Sequence, residues 1–358
     1  MRMPPGIQSF ARFVGLLVLM SVQSPPVFAQ SDRVAFYVFA HADDWQIFTN
    51  PFADVTTPPT KIVFVHTTAG GACGADGNNP QGHLVPLYIA FEEGAKAGAR
   101  ALADANQTDY ASPHTDNVLL HGSLNSHFVL RYTFRNTVSY FLRLPEAGNN
   151  QFCCNGSDGH IQAACLVTLQ SANATFPTLT AVDGSTTYQR WQDLVLTLTS
   201  LVKTEAIHTR NSDLTFNIQD PDSNANEFDN PDHYATGAAM LEVTQAFPQA
   251  KVTLYCGYSL ALNPSNVLCN PDSPPVGPNC TILQNKAALL ATTSLAISDL
   301  SWPSLWDPDL NPNHTDWLSR MYSRPPGGPQ NYCLAPHFPL PSLAARKFAI
   351  PLVNGFAP

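Results

Sequence analysis

The chain has 358 residues, 44% of them hydrophobic, which is enough to bury one large domain with insertions or a domain with a small appendage. Its net charge is −9, so nothing favours binding to nucleic acid or to an anionic membrane surface. The 31 prolines indicate long structured loops.

The N-terminal residues have the pattern of a secretory signal. Arg2 and Arg12 supply positive charge, residues 13–22 form an apolar run too short to span a bilayer, and small residues precede Gln30. We therefore expect residues 1–29 to be removed and the mature protein to be secreted, periplasmic or extracellular, without stable membrane insertion. An uncleaved anchor is the alternative.

The eight cysteines fit an oxidising compartment. The best local pairing is Cys269 with Cys280, which would close a proline-rich loop, while Cys153, Cys154 and Cys165 suggest a second stapled loop. The chain has no Cys-x-x-Cys pair, so we do not expect a cysteine zinc site.

The first predicted strand covers residues 34–40 and ends in a histidine and two adjacent aspartates, His41, Asp43 and Asp44. Ligands of open α/β sheets lie at the carboxyl ends of strands, and His and Asp are common zinc ligands. One carboxylate could bind the metal while its neighbour serves as a base. In the alternative interpretation, Asp43 or Asp44 only caps the helix that begins near Trp45.

The next elements alternate between strands and helices. A strand at residues 61–67 leads into a glycine-rich turn with Gly70 and Gly71, where the backbone can approach a ligand closely. A helix follows at residues 87–102 and a short strand at 117–120. Residues of about 148–187 have poor periodicity, and we interpret them as a disulfide-held insertion at the rim of the site.

The second half of the chain continues this alternation. A buried helix at residues 190–202 precedes a predicted strand at 204–209, which would deliver His208 at its carboxyl end as a candidate site residue. A structural role for His208 is an equal alternative. The remaining predicted elements are a helix at 233–247, a strand at 251–255 and a helix at 286–300.

This order of elements predicts an α/β fold, a Rossmann-like three-layer sandwich with a mostly parallel sheet. Disulfide-stapled loops and a C-terminal extension would be added to it. The candidate residues all follow strands or begin helices, as a ligand site at one edge of such a sheet requires.

Two motifs carry a resemblance to a known family. Residues 40–44, Ala-His-Ala-Asp-Asp, resemble the Ala-His-Pro-Asp-Asp-Glu signature of the PIG-L/LmbE-like de-N-acetylases, and residues 230–233, Asn-Pro-Asp-His, resemble their downstream His-Pro-Asp-His. The family consists of zinc enzymes that remove acetyl groups from N-acetylglucosamine-containing molecules. The resemblance implies a metal-dependent deacetylase domain at residues 30–258, with residues 259–358 as an extension packed on the same domain.

The resemblance also implies roles for individual residues. Zinc, or another divalent ion, would be held by His41, Asp44 and His233, and Asp43 would act as the general base. Asp232 would orient His233 or its neighbour. The substrate would be a carbohydrate or glycoconjugate, with Trp45, Gly70 and Gly71 as the residues that contact it.

The chain departs from the family pattern at three positions. Asn230 stands where the family has a catalytic His. It can donate a hydrogen bond to an oxyanion but cannot shuttle a proton at neutral pH, so Asp43 or His208 would have to do so. Trp45 replaces Glu and could form a stacking wall, and Phe91 replaces Arg. These departures leave two alternatives open, a non-hydrolytic carbohydrate-binding protein and a different metal-dependent enzyme on the same scaffold.

Overall fold

The computed structural model describes residues 32–55, 60–70, 83–105, 107–147, 165–171, 178–267, 278–302, 317–330 and 332–333. Its strands are β1 Arg33–Phe39, β2 Thr60–Thr68, β3 His114–His121, β4 Ser126–Phe134, β5 Thr137–Leu144, β6 Leu179–Thr180, β7 Thr187–Tyr188, β8 Leu214–Gln219, β9 Lys251–Tyr255 and β10 Ser323–Arg324. Its α-helices are α1 Asp44–Phe48, α2 Phe52–Val55, α3 Leu87–Asp104, α4 Leu166–Ser171, α5 Trp191–Glu205, α6 Pro231–Thr244 and α7 Pro278–Ser298.

Eight of these strands form one sheet in the order β10-β9-β8-β1-β2-β5-β4-β3. The five strands from β9 to β5 are mutually parallel, while β10, β4 and β3 extend the sheet in antiparallel fashion. The prediction of a mixed α/β fold with a mostly parallel sheet is confirmed.

Strand β1 is buried on both faces because helices cover both sides of the sheet. Its residues Val34, Phe36 and Val38 pack in one core cluster with side chains of α5 and α6. The alternate residues Tyr37 and Phe39 pack in a second cluster with side chains of α1, α3 and α7. A strand covered on both faces reads as a continuous apolar run, which is why it was recognisable in the sequence.

Helix α7, in the predicted C-terminal extension, packs tightly against α3. A Cβ atom at Gly94 would lie 2.9 Å from the side chains of Ile297 and Thr293, so the two helices approach at a residue without a side chain. Among the described residues, no helix is long and apolar enough to cross a membrane.

The predicted strand at residues 204–209 is wrong. Residues 204 and 205 end helix α5, and the strand of this region is β8, which begins at Leu214. Helix α5 buries Leu201 and Val202 in the core, and this burial outweighs the strand propensity of the Thr and Ile residues that follow. Strands β4 and β5 were not predicted.

The structure contains a Cys256–Cys333 disulfide that the sequence did not predict. Cys165 and Cys280 are also disulfide-bonded. Cys153, Cys154 and Cys269 lie outside the described residues, so the proposed pairings with them stay predictions. The signal sequence and most of residues 148–187 lie outside the described residues as well.

Candidate metal centre

The carboxyl ends of β1 and β8 meet at the point where the strand order reverses. Strand β1 lies between β2 and β8. The chain passes from β1 to β2 on one side of this β1–β8 pair and from β8 to β9 on the other side. Such a reversal opens a crevice in which parallel α/β sheets bind their ligands. His41 and Asp44 follow β1, and His233 lies on the first turn of α6, after β8.

Three side chains converge there. The His233 Nε2 atom lies 3.1 Å from His41 Nδ1, and Asp44 Oδ2 lies 3.3 Å from His41 Nδ1 and 3.4 Å from His233 Nε2. All three residues are buried. The predicted ligand set therefore comes together in space, with two ring nitrogens and one carboxylate oxygen facing a common point.

These separations suit a zinc ion. Bond lengths of about 2.0–2.1 Å place the N and O ligands of a tetrahedral zinc ion about 3.3 Å apart. The three separations in the protein, 3.1, 3.3 and 3.4 Å, are close to that value. Three protein ligands also leave a fourth position for water or substrate, as catalytic zinc sites require. The donor set accommodates other divalent ions too.

Each of the three side chains is oriented by a second group. Asp229 Oδ1 lies 2.7 Å from His233 Nδ1, which leaves Nε2 to face the centre. Glu146 Oε2 lies 3.4 Å from His41 Nε2, on the side of the ring away from Asp44. Gln219 Nε2 donates a hydrogen bond of 2.9 Å to Asp44 Oδ2. Partners of this kind select the histidine tautomer and hold the ligand in place.

The charges of the site shift several pKa values. Burial by itself would lower the pKa of His233, but the charges of Asp229 and then Asp44 raise it to about 9. Burial likewise opposes protonation of His41, yet the charge of Asp44 raises its pKa well above the usual value. Burial would raise the pKa of Asp44, and the two histidines hold it well below its usual range. A proton and a metal would therefore compete for the two facing ring nitrogens.

Asp43 is buried beside this centre, in the N-cap position of α1. Its side chain makes no capping hydrogen bond to the helix, so the structure gives no support to the alternative that it acts as a simple cap. Asp44, the first residue of α1, instead accepts a hydrogen bond of 2.8 Å from the backbone N–H of His41.

Asn230 has a capping role. Its side-chain oxygen accepts a 2.8 Å hydrogen bond from the backbone N–H of Asp232, at the start of α6. Pro231 follows at the first helical position, which also favours a helix start there. The same turn that begins the helix thus fixes the position of His233.

Asp232 is expected to orient His233 or its neighbour. The carboxylate that contacts His233 Nδ1 is that of Asp229. The Asp232 carboxylate lies with Glu146 and His41 in a second buried group and accepts a hydrogen bond of 2.8 Å from the backbone N–H of Ala147. Burial and then the charge of Glu146 raise the pKa of Asp232 to about 8, so it retains its proton at neutral pH.

Two other predicted site residues lie away from the centre. Trp45 is completely buried and stacks on Phe64 with ring centroids 4.2 Å apart, so it is a core residue and offers no surface to a sugar. His208 is exposed in the turn after α5, before the amino end of β8 and thus at the opposite edge of the sheet from His41.

Of the two predicted glycines, Gly70 lies close to the centre. It has a φ of +70°, and a Cβ atom there would be 4.0 Å from the Cβ of His41. Gly71 lies outside the described residues. A role of either glycine in substrate binding stays a prediction.

Sequence reasoning missed Glu146 and Asp229. Glu146 follows β5, whose end bends where the strand register shifts beside Thr68 and where Arg143 adopts a φ of 57°. A sequence pattern could have identified Glu146. The apolar residues 140–142, Tyr-Phe-Leu, precede this carboxylate much as the apolar residues 34–40 precede His41. Asp229 stands four residues before His233, just outside the motif at residues 230–233.

No family model matches this chain, and no curated protein matches it significantly. Among solved structures, the chain is similar to antimicrobial reagent A40926 pseudoaglycone deacetylase, with 12% identity over 78% of this chain and 84% of that one and a TM-score of 0.37. It is also similar to the zinc inhibited form of teicoplanin deacetylase, with 12% identity over 75% of this chain and 84% of that one and a TM-score of 0.34. These likenesses are too distant to assign a reaction.

Proposed function

We propose that the protein is a secreted, zinc-dependent hydrolase that removes an N-acetyl group from a substrate containing an amino sugar. The observation that carries the proposal is the convergence of His41 Nδ1, His233 Nε2 and Asp44 Oδ2 within 3.4 Å of one another. The resemblance of residues 40–44 and 230–233 to the PIG-L/LmbE-like signatures supports it. The proposal includes the Rossmann-like fold class, which the strand order β9-β8-β1-β2-β5 supports.

The metal would be held by His41, Asp44 and His233. Zinc in such a site polarises a carbonyl group and lowers the pKa of water to about 7. The three side chains that would hold the metal are buried. The same chemistry serves amide hydrolysis, in which water adds to the acetyl carbon and the C–N bond breaks to give acetate and an amine.

Asp43 would be the general base of the reaction. It would take a proton from the attacking water and later pass one to the nitrogen of the leaving amine. Asn230 cannot carry a proton, and its oxygen is engaged as the cap of α6. All the acid–base work would therefore fall on Asp43, which makes this residue the sharpest target for a test.

The test is amine release from N-acetylglucosamine and its short oligomers by the purified protein, with zinc content measured on the same sample. Asp43→Asn should lower the rate by about 10²–10⁴-fold and leave zinc content unchanged. Glu93→Gln is the matched control, because Glu93 is an exposed carboxylate on α3, and it should change neither quantity. Release that persists without metal or without Asp43 would contradict the proposal.

A second candidate is a metal-containing carbohydrate-binding protein without hydrolytic activity. The cap formed by Asn230 favours it, because this position supplies no proton to a leaving group. Stoichiometric zinc and sugar binding without any amine release would support this candidate over hydrolysis.

A further inference from the structure

The segment of residues 317–333 lies next to the metal centre through three separate sets of contacts, although it comes from the far end of the chain. We call its described residues, 317–330 and 332–333, the C-terminal clamp. Each set of contacts ends on Asp229 or on the ring of His233. Asp229 matters because its Oδ1 atom lies 2.7 Å from His233 Nδ1 and so aims the other ring nitrogen at the metal position.

The first set of contacts passes through a buried ion pair. Arg324 donates from Nε and Nη2 to the two carboxylate oxygens of Asp220, at 2.6 and 3.0 Å, and Tyr332 adds a hydrogen bond of 2.8 Å to the same carboxylate. The backbone oxygen of Asp220 accepts from Asn226 Nδ2 at 3.1 Å, and Asn226 Nδ2 also donates to Asp229 Oδ2 at 2.6 Å.

The second set passes through the Cys256–Cys333 disulfide. The residues after Cys256 pack directly on Asp229, because the backbone N–H of Tyr258 donates to its Oδ1 at 2.8 Å. A Cβ atom at Gly257 would lie 2.2 Å from Asp229 Oδ2, so the turn packs against the carboxylate with no room for a side chain at this position. The disulfide ties the turn to the clamp.

The third set consists of aromatic rings. Trp317 stacks on Tyr258 with ring centroids 4.8 Å apart, and Tyr258 lies 4.8 Å from the ring of His233. Phe48 contacts both Trp317 and His233. The His233 ring therefore rests against Tyr258 and Phe48, and Trp317 of the clamp packs on both of these rings.

From these contacts we infer that the C-terminal clamp sets the position of Asp229 and His233, and that the Cys256–Cys333 disulfide and the Arg324–Asp220 pair are positioning elements for the metal centre. The inference rests on the proposed metal site. A chain without the disulfide should therefore fold its sheet but bind zinc weakly. Full zinc affinity would develop only after the two thiols are oxidised by a disulfide donor, which takes up their two electrons and two protons.

The test is the zinc dissociation constant of the full-length protein, measured by competition with a chromophoric chelator. The Cys256→Ser, Cys333→Ser double variant and Arg324→Gln should each raise this constant, at most by the roughly 10–100-fold that is typical when a direct partner of a ligand is removed. Val129→Ala is the control, since Val129 is buried in β4, three strands away from β1, and should leave the constant unchanged.

Two further readouts separate positioning from general destabilisation. The visible absorption of the Co²⁺-substituted clamp variants should change, whereas that of Val129→Ala should match wild type, because this spectrum reports the ligand geometry. Amine release by the clamp variants should recover at saturating zinc. If the double variant does not fold, Arg324→Gln decides the question, because it keeps the disulfide.

The results distinguish the two proposals. Zinc constants and cobalt spectra equal to wild type in folded clamp variants would overturn the clamp and leave the proposed hydrolase intact. A wild-type protein that binds no zinc would overturn both.

Discussion

Metal binding to this site should weaken steeply as the pH falls, because protons and the metal compete for the same ring nitrogens. The pKa of His233 in the metal-free protein is raised to about 9, so its ring carries a proton at pH 7. A raised pKa means that the proton is fully in place at low pH and is lost as the pH rises through about 9. The affinity for zinc therefore rises with pH over this range and levels off above it.

The size of the effect follows from the pKa. Two pH units between 7 and 9 correspond to about 100-fold in affinity for one displaced proton, or about 2.7 kcal/mol at 1.36 kcal/mol per unit. The pKa of His41 is also well above its usual value, so metal binding should release at least one proton. Chelator competition at pH 6–9 measures the slope, and calorimetry in buffers of different ionisation enthalpy counts the released protons.

Asp229→Asn provides the matched control. The variant removes the charge that raises the pKa of His233, so the pH dependence between 7 and 9 should flatten. Its affinity at pH 9 should nonetheless fall by about 10–100-fold, because the ring loses the carboxylate that orients it. A zinc affinity that stays constant from pH 6 to 9 in the wild-type protein, without proton release, would refute the assignment of the two histidines as ligands.

Three other predictions concern single residues. Glu146→Leu should weaken zinc binding by about 10–100-fold and Glu146→Gln by less, because an amide oxygen can still accept from His41 Nε2; equal affinities in a chelator titration would remove Glu146 from the site. Trp45→Ala should lower the free energy of urea unfolding by about 3–5 kcal/mol, since the ring is completely buried. A raised KM at unchanged stability would instead support the predicted role of Trp45 in substrate binding. Lys286→Met should raise the free energy of unfolding at pH 6.5 by up to roughly 4 kcal/mol, because burial lowers the folded-state pKa of Lys286 to about 7 and the buried charge is costly below that pH. This gain should fade as the pH rises from about 7 towards 10.5, where the lysine is neutral in the folded state, and a gain of equal size at pH 9.5 would contradict the pKa.

The sequence was sufficient for the elements whose signals are local. The central strands β1 and β2 are apolar runs because both of their faces are covered, and β9 has the predicted bounds, Lys251–Tyr255. The residues that converge on the metal position, His41, Asp44 and His233, follow strand ends or begin helices, and a parallel sheet brings such positions to one edge.

The sequence failed where the outcome depended on distant packing. Trp45 stands beside the proposed metal ligands in the chain, but its ring is buried in the core against Phe64. The residues around His208 have strand propensity, yet they form the turn after α5, and the strand of this region begins at Leu214. Local preferences of about 1 kcal/mol are readily outweighed by the burial of a helix face.

The amino-acid sequence by itself determined the residue types of the candidate site, because His41, Asp44 and His233 are recognisable from the strand ends and helix starts next to them. Tertiary structure alone decided which groups support that site. Glu146 lies after β5, and Asp229 lies in the loop after β8. The two cysteines of the disulfide are 77 residues apart in the chain. Their roles arise from contacts between segments far apart in the chain, and no local pattern of residue types encodes such contacts.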